Sequence, residues 1–232
     1  MMFGLLGTFV NAAAVIVGGV AGLLIGKALN KTVSDSVMTG LGLVVIYIGI
    51  SGAFSGQNTL VTIISMAIGA VIGTLLRLED RVVSLGKKLE EKVSKNGDGK
   101  IAKGFVSASL LFCVGAMSIT GPLDSGLRGD HTVQYTKAVL DGIGAVVFGS
   151  SLGVGVLFSA LFILVYQGGI TLLAAFIEPY LNETIINEMT CAGSLIIMAL
   201  GLNMLGITKI KVMNFVPAIF LPIALCHIPG LS

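Results

Sequence analysis

Residues 136 to 177 form one apolar stretch of about 40 residues. A helix needs only about 20 residues to cross a hydrocarbon core of roughly 30 Å, so this stretch holds two crossings with a turn between them. The turn belongs at "GSSLGVG", Gly149 to Gly155, where glycine and serine interrupt the run. Comparable apolar runs recur along all 232 residues. The chain is 55% hydrophobic and 11% charged, whereas a soluble domain carries about 25% charged residues. These features define an all-α, polytopic transmembrane helix bundle. The alternating strands of an outer-membrane barrel are absent from the sequence.

Eight spans fit the apolar pattern, at approximately 3–26, 36–54, 59–76, 104–120, 136–152, 155–177, 190–206 and 212–230. Seven is the competing count. Lysine and arginine set the orientation, because cytoplasmic loops carry the excess. Arg77–Lys103 holds eight of the fourteen basic residues and is assigned to the cytoplasm. Alternation then places the loops with Lys27 and Lys31 and with Lys209 and Lys211 on the same side, leaving only Arg128 and Lys137 outside. Seven spans would put the Lys209 loop outside, so the charge bias favours eight, with both termini outside. The expected location is the inner or plasma membrane, with the lipid bilayer as the main partner. The N-terminus lacks the basic region of a signal peptide and reads as the start of the first span, retained in the mature protein. A net charge of +2, scattered along the chain, gives no footprint for nucleic acid.

The cytoplasmic segment contains its own pattern. Leu78, Val82, Leu85, Leu89 and Val93 recur at spacings of four and three, an apolar stripe flanked by charged residues. This predicts an amphipathic helix on the inner leaflet, with partner docking or gating as the other reading. "NGDGK" ends it.

Two segments resemble each other. "NKTVSDSVMTGLGLVVIYIGI" (Asn30–Ile50) aligns with "NETIINEMTCAGSLIIMALGL" (Asn182–Leu202), matching Asn30, Thr32, Leu43 and Gly49 to Asn182, Thr184, Leu195 and Gly201. Span two then corresponds to span seven and span one to span six. The odd separation means opposite orientation in the membrane. The expected organisation is one transmembrane domain over 1–232. Its parts are a first inverted repeat (1–76, spans 1–3), the cytoplasmic segment (77–103), a central span pair (104–152) and a second repeat (155–230, spans 6–8). Inverted repeats recur in transporters, with the substrate path near the midplane.

The chemistry-bearing residues are few. No phosphate-binding loop, HExxH, GxSxG or nucleophile–base pair occurs, so neither an enzyme nor a cofactor is expected. His131 and His227 are assigned no metal. Cys113, Cys191 and Cys226 lie in apolar runs and read as small core residues. Gly18, Gly22 and Gly26, Gly69 and Gly73, and Gly149 and Gly153 recur every four residues, a spacing that lets helices approach closely, within the chain or in a homo-oligomer. Polar groups at membrane depth are costly unless paired. They are Asn11, Asp141, Gln167, Asn203 and Asn214. Lys137 lies one turn before Asp141 and can pair with it. Asn214 precedes Pro217 and Pro222, so span eight is expected to break, either freeing carbonyls for a cation or forming a simple kink. "GPLDSGLRGD" (Gly121–Asp130), with Asp124, Arg128 and Asp130, is expected as an external loop, either a structural hairpin or, with Lys137, a gate toward Asp141.

"GTFVNAAAVIVGG" (Gly7–Gly19), "GAVIGTLLRLE" (Gly69–Glu79), "DSGLRGD" (Asp124–Asp130), "KAVLD" (Lys137–Asp141) and "VMNFVPA" (Val212–Ala218) occur here in an order and spacing that resembles the bacterial YqgA/YdfK-type integral membrane proteins. That family is known mainly as a domain of unknown function. The resemblance implies a sodium channel or pump, or a role in biofilm behaviour, and fixes no mechanism. The resulting expectation is a transporter or channel for a small solute, foremost a monovalent cation, with a path through Asn11, Asp141, Asn214, Gln167 and Asn203. The competing expectation is a non-transporting sensor or scaffold acting through the amphipathic segment.

Overall fold

The computed structural model describes residues 3–28, 30–84, 100–115 and 117–228. Among them the regular structure is entirely helical. The helices are α1 (Leu6–Ala28), α2 (Lys31–Ala53), α3 (Thr59–Leu75), α4 (Leu78–Ser84), α5 (Lys100–Cys113), α6 (Met117–Arg128), α7 (Thr132–Leu152), α8 (Gly155–Leu172), α9 (Ala174–Ile177), α10 (Glu183–Met204) and α11 (Pro222–Leu225). A 3-10 segment, Val212–Ile219, precedes α11.

Four helices are long and apolar enough to cross a membrane: α1, residues 35–53 of α2, α8 and α10. The pairs α3–α4 and α5–α6, bent by 52° and 63°, raise the number to as many as six. These differ from the expected spans at four places. The fifth, expected over 136–152, lies on α7, which is not among them. The fourth, expected over 104–120, is interrupted where Gly115 takes a φ of 115°. The helix restarts at Met117, so Gly121–Arg128 of the expected external loop is helical, with Pro122 inside. The eighth, expected over 212–230, is a 3-10 segment followed by one α-turn. Pro217 and Pro222 each lack the N–H that a continuous α-helix would use there. The acidic stretch between spans six and seven is mostly the first turns of α10, which carry Glu183 and Glu188. Residues 85–99, with most of the amphipathic segment, lie outside the described residues.

The apolar stretch 136–177 does break at "GSSLGVG". Gly153 has φ 75° and ψ −156°, a conformation essentially restricted to glycine. Gly153→Ala is expected to destabilise the protein by about 1–3 kcal/mol, read as a lower midpoint of thermal denaturation.

The chain forms two compact units. The first comprises Met1–Val37, Val83–Cys113 and Met117–Glu178; the second comprises Met38–Val82, Val114–Ala116 and Pro179–Ser232. In the first, α1 and α7 run parallel, backbone against backbone. A Cβ at Gly18, Gly22 or Gly26 would strike the carbonyl oxygen of Gly142, Val146 or Ser150 respectively. The glycine row on span one is therefore used inside the chain. Helix α8 runs antiparallel to α1: Gly19 meets Leu157 at one end, and Leu5 and Thr8 meet Gly168 at the other. Phe112 and Phe148 pack edge to face, with ring centroids 6.4 Å apart, and join α5 to α7.

In the second unit α2 and α10 are antiparallel. Gly42, Gly49, Gly52 and Gly56 meet Leu205, Met198, Ser194 and Cys191 in that order. Helix α3 and the 3-10 segment are also antiparallel, with Gly69 against Ala218 and Gly73 against Asn214. Asn30 and Asn182 begin α2 and α10 in the same way: each side-chain oxygen accepts from the N–H three residues on, at 2.9 and 2.8 Å.

Candidate functional site: a buried ion pair between two amides

The first unit buries four polar side chains in one cluster. One helical turn separates Lys137 from Asp141 on α7, and Lys137 Nζ donates to Asp141 Oδ1 at 2.9 Å. From α1, Asn11 Nδ2 donates to the other carboxylate oxygen, Asp141 Oδ2, at 3.0 Å. The same Nδ2 also donates to Gln167 Oε1 on α8 at 3.2 Å. Asn11 and Gln167 are fully buried, and Lys137 and Asp141 are 6% exposed. Asn11 Oδ1, Gln167 Nε2 and Thr171 Oγ1 (one turn past Gln167) are buried without a protein partner. The close approach of α1 and α7 at Gly18 and Gly142 lets a side chain as short as asparagine reach across.

A second polar set lies one helical turn nearer the starts of α1 and α7. Thr8 is three residues before Asn11, and Gln134 three before Lys137. Gln134 Nε2 donates to Thr8 Oγ1 at 3.1 Å, and Gln134 Oε1 accepts from Ser125 Oγ of α6 at 2.9 Å. Gly7 leaves the room that the Gln134 side chain occupies. Ser125 Oγ also lies 3.0 Å from His131 Nδ1 in the α6–α7 connection. The serine hydroxyl has one proton. When that proton goes to Gln134, His131 Nδ1 must carry its own to complete the chain.

The remaining expected site residues lie elsewhere. Asp124 and Arg128 pair at 3.0 Å on α6, with the Arg128 side chain 72% exposed. Such a surface pair contributes little. Asp130 Oδ1 accepts from the Thr132 N–H at 2.9 Å, starting α7. That backbone bond, with the Thr132 side chain, holds the Asp130 carboxyl below its usual range. A lowered folded-state value stabilises above the unfolded value and is lost as pH falls through the folded one. The Thr132 amide should therefore stay protected until the pH drops below the ordinary aspartate range of about 4. Amide exchange against pH measures this, and Asp130→Asn should remove the dependence.

Lys137, grouped by sequence with the external loop, is instead a member of the buried cluster. Asn203 and Asn214 belong to the second unit and bond to backbone there. Asn203 clamps the turn after α10, donating to Ile210 O at 2.7 Å and accepting from Ile210 N at 2.8 Å. Asn214 Oδ1 accepts from Glu79 N, and Glu79 Oε2 accepts from Met213 N, each at 3.0 Å.

Glu188 was not singled out by sequence reasoning. It is fully buried in the second unit. One oxygen accepts from Gln57 N and Asn58 N at 2.6 and 2.8 Å, and the other from Thr62 Oγ1 at 3.3 Å. A carboxylate at the start of α3 is favoured by the orphan amides and dipole there. The available signal was phase: Glu188 lies three residues after buried Ile185 and four before buried Ala192. Glu188→Ala leaves several donors unsatisfied and is expected to destabilise by about 1–3 kcal/mol or more. Glu188→Gln, which keeps an acceptor oxygen, should cost clearly less in the same denaturation measurement.

Apolar helices of membrane-crossing length, four to six by length and composition, beside a buried ion pair define a helical membrane protein, whose environment is the lipid bilayer. The chain belongs to the family described as "Protein of unknown function (DUF554)", which matches residues 6–227. It is 34% identical to the uncharacterized membrane protein YdfK of Bacillus subtilis (strain 168), over 93% of each chain. It is 29% identical to the uncharacterized protein YqgA of Escherichia coli (strain K12), over 95% of each. No solved structure matches it.

Proposed function

We propose that this protein moves a small monovalent cation across the inner membrane and catalyses no reaction. The reading rests on one observation: Asp141, with Lys137, Asn11 and Gln167, is buried among apolar helices, of which α1 and α8 are long enough to cross a bilayer. Ionisable groups at that depth are expensive, and they recur on ion and proton pathways.

Helix direction supports the finer topology. Parallel α1 and α7 require an odd number of crossings between them. Helix α2 and the two bent pairs supply three if each pair crosses once. Helix α7 then crosses too. Its charges are turned inward, and its outer face is Val139, Leu140, Ile143 and Val147. With α8, α10 and the Val212–Leu225 segment, the count is eight, with both termini outside. The inverted repeat is supported by the antiparallel pairing of α1 with α8, α2 with α10, and α3 with the 3-10 segment. The shared asparagine caps on α2 and α10 support it further.

The test is cation flux into liposomes holding the purified protein. Wild type should conduct or exchange a monovalent cation, and Asp141→Asn should abolish the flux. Flux that persists in Asp141→Asn rejects the assignment. The sensor or scaffold reading has one observation of its own: α4 is tied to the second unit by Glu79 and by the Asp80–Lys211 pair at 3.6 Å. Under that reading, flux is absent from wild type and every variant, and deleting residues 77–95 abolishes the cellular phenotype.

A further inference from the structure

We infer that the Lys137 ammonium and an incoming monovalent cation are mutually exclusive occupants of Asp141, and that Asn11 completes the oxygen set for the cation by turning its amide. The inference deepens the transport reading and rests on it for the choice of cation.

Two oxygens converge on one point. Asp141 Oδ2 and Gln167 Oε1 lie 3.0 and 3.2 Å from the single nitrogen Asn11 Nδ2. That nitrogen, with its partial positive charge, marks the place on which a carboxylate and a carbonyl oxygen converge, and a cation would sit beside it, between those oxygens. The third oxygen is already at hand. Asn11 Oδ1 is buried on a fully buried residue and has no protein partner. A half-turn of the amide about its last torsion exchanges Oδ1 for Nδ2 and brings three oxygens together, the ligand type that hard cations take. The turn also removes the donor from Gln167, whose Nε2 is likewise buried without a partner.

Charge decides the exclusion. With Lys137 on Asp141 the cluster is neutral. A second cation added to that pair would leave a net positive charge at a site buried on every side, which is strongly unfavourable. Binding therefore requires the ammonium to leave Asp141 Oδ1 or to give up its proton. Among the described residues, Cys113 of α5 is an ionisable group that interacts electrostatically with both Lys137 and Asp141. A thiol stays neutral at ordinary pH and supplies no compensating charge.

The experiment measures sodium binding to the full-length protein in detergent. It reads thermal stabilisation by sodium chloride against choline chloride at matched ionic strength. Lys137→Met removes the competitor and leaves Asp141 unpaired, so its apparent sodium affinity should rise at least tenfold and its stability should become sodium-dependent. Lys137→Arg, which keeps the charge, preserves the pair and cannot deprotonate, should weaken binding at least tenfold. Lys137→Met combined with Asp141→Asn should bind no sodium. Equal affinities in wild type and Lys137→Arg overturn the inference even if Lys137→Met fails to fold, as does sodium binding that survives in the double variant. Competition without flux in liposomes sinks the transport reading and leaves the site standing. Flux with unchanged affinity in Lys137→Arg does the reverse.

Discussion

Lys137→Met alone, in sodium-free choline buffer, is expected to destabilise the protein by about 3–5 kcal/mol, because it strands a buried carboxylate without its cation. The Asp141 carboxylate would keep only the Asn11 amide, a neutral donor. Replacing both partners is different. Lys137→Met with Asp141→Leu removes the charge at both ends and leaves Asn11 its bond to Gln167. Apolar replacement of a whole buried pair is often neutral or stabilising, so the double variant should recover most of the loss. Denaturation of the two single variants and the double variant in one detergent gives the coupling. Additive losses would mean that the two side chains do not form the pair at all.

Gly22→Leu is expected to cost about 3 kcal/mol, at the upper end of overpacking effects. At this position the obstacle is the main chain of α7: a Cβ at Gly22 meets Val146 O and approaches Ser150 N at 2.9 Å. Rotamer changes cannot clear a backbone, so α1 and α7 must move apart. Their separation would stretch the Asn11–Asp141 bond, and loss of sodium binding should accompany the loss of stability. Gly40→Ala is the control. Beyond the backbone of its own helix turn, no atom of the described residues lies within 4 Å of a Cβ there, and within helix α2 alanine gains up to about 1 kcal/mol over glycine.

Much of this was legible in the sequence because the bilayer simplifies the rules. A run of apolar residues declares a crossing, and glycine breaks it, which is why the turn at Gly149–Gly155 was found. Spacing of four on α1 announced a close helix contact, and spacing of four on α7 announced the Lys137–Asp141 pair. Lys137 was also counted with the external loop, for a physical reason. Counting lysines by loop treats each as a solvated charge, and a lysine neutralised inside the protein no longer reports which side it faces. Gln134, Thr8 and Glu188 were missed although each sits in phase with buried neighbours, because their polarity was weighed before their register. The bonds of Asn214 to the Glu79 region cross 135 residues of sequence. No local pattern encodes such a contact. The break after Cys113 hinges on the backbone at Gly115, one glycine among 32.

The seam between α1 and α7 has a mechanical consequence. Three glycines seated against three successive carbonyl turns act like a key in its slot. The two helices cannot roll or slide past each other without lifting apart, so they travel as one shaft. Asn11 and Asp141 both ride on that shaft, and their spacing is preserved through any motion it makes. Gln167 arrives from α8, whose approach beside Gly19 is made by the side chain of Leu157 and whose root is the glycine bend at Gly153. Under the proposed transport reading, the joint at which an ion is admitted or let go lies between the shaft and α8, with Gln167 as the moving jaw.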